Sequence, residues 1–128
     1  MTAALTINYE PVKWELKRPL KTAQGEIASR KSVMLRARIS HESSVEGLGE
    51  ASPLPGWSAE THEDVLIQLE NLPSTLPRFS ADSPEALDGW LDRNGVTSTS
   101  LRFGLAAALI DLEAQLTGVS WGAMLGEC

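Results

Sequence analysis

Residues 47–61 read Gly-Leu-Gly-Glu-Ala-Ser-Pro-Leu-Pro-Gly-Trp-Ser-Ala-Glu-Thr, and the periodicity of the chain changes across them. Upstream, Val33, Leu35, Ala37 and Ile39 alternate with Met34, Arg36 and Arg38, the pattern of a strand with one face on a core. Downstream, Val65, Leu66, Leu69 and Leu72 follow at helical spacing until Pro73 stops the run. The segment divides a sheet, about residues 3–50, from a helical part, about residues 59–118. This is an α+β pattern: a three-stranded antiparallel meander followed by a cluster of about three helices. A length of 128 residues makes 1–128 one domain.

Within the sheet, Leu5, Ile7 and Tyr9 alternate, and after Glu10-Pro11 the residues Val12, Trp14 and Leu16 alternate in the other register. A one-residue phase change at a proline predicts a bulge or bend within one long edge strand. Pro19 to Ser29 is expected to join the first two strands through a loop too long for a tight hairpin. His41 to Ser44 reads as a polar turn and Val45 to Gly49 as the third strand. Ala51 to Ser58 holds two prolines and a glycine beside Leu54 and Trp57. Apolar side chains on such a loop either cover something or pack on the helices beneath.

The helical part opens with Thr61-His62-Glu63-Asp64, a capping-box variant with acidic residues suited to a helix N-terminus. Pro73 to Ala81 is a connector. Ser83-Pro84 opens a short helix with Leu87, Trp90 and Leu91 on one side, ended by Asn94-Gly95. The last helix, about Ser100 to Thr117, carries Leu101, Leu105, Ala108, Leu112 and Leu116 as one stripe, with Gly118 past its end. Phe103, Ala106, Ala107 and Ile110 populate its other faces. Such a helix is buried on several sides, by its own domain or by something outside the chain.

Composition narrows the function. Eleven Lys and Arg against 17 Asp and Glu give a net charge of −6 with no basic run, against nucleic-acid binding. No apolar stretch reaches the roughly 18–20 residues of a membrane span, and residues 1–20 lack a signal peptide's apolar region. Cys128 is the single cysteine, so no internal disulfide forms and a reducing cytoplasm is the expected location. The two histidines suggest no metal cage: His41 sits in a hydrophilic turn, and His62 in a helix first turn reads as a surface residue. Gly47-Leu48-Gly49 lacks the third glycine and the helix of a dinucleotide site. Glu60, Glu63 and Asp64 read as helix N-terminal charge. Glu50, at a strand end, is either a structural carboxylate accepting loop N–H groups or an active-site one.

The run from Gly47 to Thr61 resembles the enolase superfamily, and among its members the o-succinylbenzoate synthase family. That family has G-x-G-E at a strand end, a P-L-P-G-[FW]-S loop, then E-T opening a helix. Pro19 to Gly25 looks like its first loop, Arg30 to Leu35 like its second strand, and Ser100 to Ala114 like the long helix before the barrel. The resemblance implies an N-terminal capping domain on a (β/α)7β barrel that needs roughly 200 or more further residues. Mg2+, the acidic ligands and the catalytic lysines would lie in that barrel, joined in cis or in trans. This chain would then hold no catalytic residue and no metal ligand.

The resemblance also implies that two cap loops close over a small-molecule carboxylate substrate: Lys21, Thr22, Ala23, Gln24 and Gly25, and Leu54, Pro55, Gly56, Trp57 and Ser58. For the whole enzyme it implies Mg2+-dependent dehydration to o-succinylbenzoate, in menaquinone biosynthesis, by abstraction of a proton α to a carboxylate. Trp57 would be an apolar wall against substrate or a local plug. Rival readings are the cap of an N-acylamino-acid racemase, dipeptide epimerase or muconate cycloisomerase, or a stand-alone binding module. A cap should leave an apolar patch along the last helix or the loops, which a homo-oligomer could also cover.

Overall fold

A computed structural model describes residues 4–23, 25–39, 42–54, 58–79 and 83–118. Strands β1 (Leu5–Thr22), β2 (Gly25–Ile39) and β3 (Glu42–Ala51) form an antiparallel sheet in the order β1-β2-β3. Helices α1 (His62–Glu70), α2 (Pro84–Arg93) and α3 (Thr99–Thr117) follow. The α+β architecture expected from the change of period is the one observed.

The alternation of β2 does what a half-buried strand requires: Val33, Leu35, Ala37 and Ile39 are buried, as is Leu5 opposite Ile39. Opposite them on β3 stand Ala51, Gly49 and Gly47, all small. The reason is α3, whose Leu101, Leu105, Ala108 and Leu112 are buried against the sheet. A Cβ on Gly47 would lie 2.0 Å from the Ala108 carbonyl oxygen, and one on Gly49 2.1 Å from that of Gly104. The two glycines let helix and strand backbones touch.

Two expectations for β1 are corrected. Pro11 causes no phase change: pairing runs without a shift from Leu5↔Ile39 through Pro11↔Val33 to Glu15↔Ser29. An edge strand tolerates proline in regular pairing. The apolar pattern switches because Val12 and Trp14 lie on the opposite face of the sheet from Leu5 and Ile7. The irregularity comes later, where Leu16, Lys17, Arg18 and Pro19 lie opposite Ala28 alone. The residues from Pro19 to Ser29 are not a long loop either. Leu20, Lys21 and Thr22 pair with Ile27, Glu26 and Gly25, which leaves a two-residue connection, Ala23-Gln24. Gly25 takes φ +128°, a conformation that L side chains rarely adopt, and so permits the tight reversal.

The third strand begins at Glu42, so the expected turn narrows; Ser40 and His41 lie outside the described residues. In α1 the capping box forms both bonds, Asp64 N–H to Thr61 Oγ1 at 3.1 Å and Thr61 N–H to Asp64 Oδ2 at 2.9 Å. Val65 and Leu69 face the core. Pro84 takes the first turn of α2, though the Ser83 side chain makes no cap bond. Leu87 and Leu91 are buried, while Trp90 meets Phe79 edge-on at 5.9 Å. The connector after α1 returns Leu76 to the sheet, exchanging backbone bonds of 2.9 and 2.8 Å with Leu5.

Candidate functional site

The expected first loop is the tip of the β1–β2 hairpin. Lys21 is exposed near the end of β1, Thr22 pairs with Gly25, and Ala23 is exposed in the turn; Gln24 lies outside the described residues. Of the second loop, Leu54 and Ser58 are half-buried, and Pro55, Gly56 and Trp57 lie outside the described residues. Its two ends are pinched together. Leu54 N–H donates to Ser58 Oγ and Ser58 N–H to the Leu54 carbonyl, both at 2.9 Å.

Two clefts border this pinch at Ser58. One, of about 330 Å3, is lined by Ser29 and Lys31 of β2 with Pro53, Ser58, Thr61 and His62 among others. His62 is half-buried and its Nδ1 is buried without a hydrogen-bond partner, so it is not the plain surface residue expected. The second, of about 640 Å3, lies between Glu50, Ser52, Ser58 and Glu60 and the start of α3 at Ser100 and Phe103.

The start of α3 is held from a distance. Ser98, its N-cap residue, makes no side-chain cap bond. Instead Glu60 Oε1 accepts the Ser100 N–H at 2.8 Å. That bond at a helix N-terminus holds the Glu60 carboxyl below its ordinary value of 4.5, against the opposing effect of burial. On the far face of the sheet Glu50 accepts from Ser32 Oγ at 2.9 Å, and Arg30 Nη2 donates to the Ser52 carbonyl at 2.9 Å. Glu50 therefore has structural partners and also borders a cleft.

Among the described residues no three His, Cys, Asp or Glu side chains come together as metal ligands. No helix of the described residues is long and apolar enough to cross a membrane. One apolar surface stands out. Phe103 is 74% exposed, and Ala107 and Ile110, on the same side of α3, are also partly exposed. These residues lie opposite the stripe that α3 buries on the sheet.

Residues 4–126 match the family described as mandelate racemase / muconate lactonizing enzyme, N-terminal domain. The chain belongs to this family. As such a domain it is 42% identical over 73 residues, 56% of its length, to the o-succinylbenzoate synthase of Thermosynechococcus vestitus; the match covers 22% of that protein. It is also similar to the dipeptide epimerase of Methylococcus capsulatus complexed with Mg and the dipeptide L-Arg-D-Lys. There the TM-score is 0.81 at 25% identity, over 97% of this chain and 35% of that one. A muconate lactonizing enzyme from Pseudomonas fluorescens shares the fold, with a TM-score of 0.82 at 22% identity, over 98% of this chain and 34% of that one. The chain thus spans about a third or less of its relatives' length.

Arg30, Lys31, Ser52, His62 and Phe103 were not singled out from the sequence as site residues. For Lys31 a signal existed: it continues the odd-numbered face of β2 past Val33 as a charged residue. For Glu60 none did, because its partner lies 40 residues on.

Proposed function

We propose that this N-terminal domain is the capping and specificity domain of an o-succinylbenzoate synthase-like enzyme. The reaction is dehydration of a succinyl-hydroxycyclohexadiene carboxylate, in menaquinone biosynthesis in the cytoplasm. The observation that supports the cap role is the setting of the second loop. Its pinched end at Ser58 lines one cleft at the start of α3, beside the exposed Phe103, and another at the start of α1. The 42% match to a synthase supports this choice within the family. Proton abstraction, Mg2+ and the catalytic lysines belong to a barrel beyond this chain, in cis or in trans. The cap's residues exclude water and position the substrate. Lys21 to Gly25 and Leu54 to Ser58 are the proposed contact segments, with Trp57 as an apolar wall.

A dipeptide epimerase cap is the second reading, favoured by the structural likeness over 97% of the chain. Assaying the chain joined to its barrel, with Mg2+, separates the two. Dehydration of the cyclohexadiene substrate is expected; epimerisation of an L,L-dipeptide without dehydration would overturn the synthase reading. In the same enzyme Trp57→Ala should raise KM about tenfold, the order of one lost apolar contact surface. A lowered Tm with unchanged kinetics would make Trp57 a local plug.

A further inference from the structure

The face of the sheet turned away from the helices carries polar contacts that cross all three strands. Trp14 Nε1–H of β1 donates to Ser32 Oγ of β2 at 2.9 Å and reaches Glu50 Oε2 of β3 at 3.3 Å. The Ser32 hydroxyl donates to the same carboxylate oxygen at 2.9 Å. Ser32 is 0% exposed, and these bonds satisfy its hydroxyl as both donor and acceptor. Two residues along β2 toward the hairpin tip, Arg30 Nη2 donates to the Ser52 carbonyl at 2.9 Å and to Ser52 Oγ at 3.1 Å.

Strand pairing does not need the Arg30 contact. The β2–β3 ladder ends at Val33↔Ala51, and Ser52 lies just past it. Arg30 ties β2 to Ser52, just ahead of the second loop, a connection that the ladder does not make. Its Nε is buried and has no hydrogen-bond partner among the described residues, so the guanidinium's contact is concentrated on Ser52.

We propose that Arg30 is a positioning residue: with the Trp14–Ser32–Glu50 link beside it, it fixes the root of the second loop to the β1–β2 hairpin. The described ends of the second loop, Leu54 and Ser58, are then held to β2 through Ser52. The functional meaning rests on the cap reading, whereas the positioning itself does not.

Amide hydrogen exchange in the chain tests it at Leu54 and Ser58, whose N–H groups carry the pinch. Arg30→Ala should speed exchange at both about tenfold, the order that one charge-assisted bond supplies. The ladder amides of Val33 to Ala37 should stay unchanged, and Arg30→Lys should restore part of the protection. Ser32→Ala, a smaller change, should give the same local pattern more weakly. Unchanged exchange at Leu54 and Ser58, or acceleration spread evenly over the ladder, would overturn the proposal. Steady-state kinetics of Arg30→Ala joined to the barrel then give the functional arm. A severalfold higher KM at constant kcat supports the coupling to substrate. Local loosening with unchanged KM supports positioning and overturns the reading of this loop as a specificity element.

Discussion

At the scale of single residues, Glu60 and Gly49 each do something their neighbours in sequence do not reveal. Glu60 accepts from the first turn of a helix at Ser100, 40 residues later, and its carboxyl is held below 4.5 chiefly by that N–H. A carboxylate with a depressed folded-state pKa adds stability above its unfolded value, and that increment fades as pH falls below about 4.5 through the folded value. Glu60→Gln should therefore cost about 0.5 kcal/mol at pH 7. Urea unfolding at a series of pH values should show the gap between the two proteins closing as the pH falls below 4.5 through the folded value. Gly49 faces a harder limit, since a methyl group there would meet the Gly104 carbonyl at 2.1 Å and the Ala108 nitrogen at 3.0 Å. Both obstacles are backbone, so relief requires α3 to move. Gly49→Ala should cost about 3 kcal/mol in urea unfolding. The Gly-x-Gly spacing was visible in the sequence, but the helix it makes room for was not.

At the scale of elements, α3 serves two surfaces. Its sheet-facing side, with Leu101, Leu105, Ala108 and Leu112, was legible as a stripe because helical spacing puts those residues on one face. Phe103, Ala107 and Ile110 were legible as surplus apolar residues, and the fold places them opposite that stripe. The two faces should respond differently to substitution in this chain. Leu105→Ala should lose about 3 kcal/mol, as fully buried leucines do. Phe103→Ser, at a side chain 74% exposed, should change stability by less than about 0.5 kcal/mol. Equal losses would mean that Phe103 is core and that the exposed face is not reserved for a partner. The β1–β2 hairpin shows where pattern reading stopped. Pro19 and Gly25 read as loop punctuation, yet the pairing absorbs Pro19 and the extra residues in one irregular stretch of β1 and resumes up to Thr22↔Gly25.

For the whole molecule, the structure is a cap-like domain whose relatives are about three times its length or more. The chain alone, supplied with Mg2+, should show no dehydration of the proposed substrate above a blank. Turnover by the 128-residue chain would mean that its own side chains carry the chemistry.

The sequence by itself determined the order of elements, the change from sheet to helix at residues 47–61, the buried faces of β2 and α3 and the capping box of α1. Each is set by a short-range period or a contact three residues apart. Only the tertiary structure decided where β1 breaks register, how tightly the hairpin closes, and which distant groups meet: Glu60 with Ser100, Arg30 with Ser52, Gly49 with Gly104. Those depend on how the sheet and α3 stack, and the energy of a contact between residues tens of positions apart leaves no local pattern in the chain.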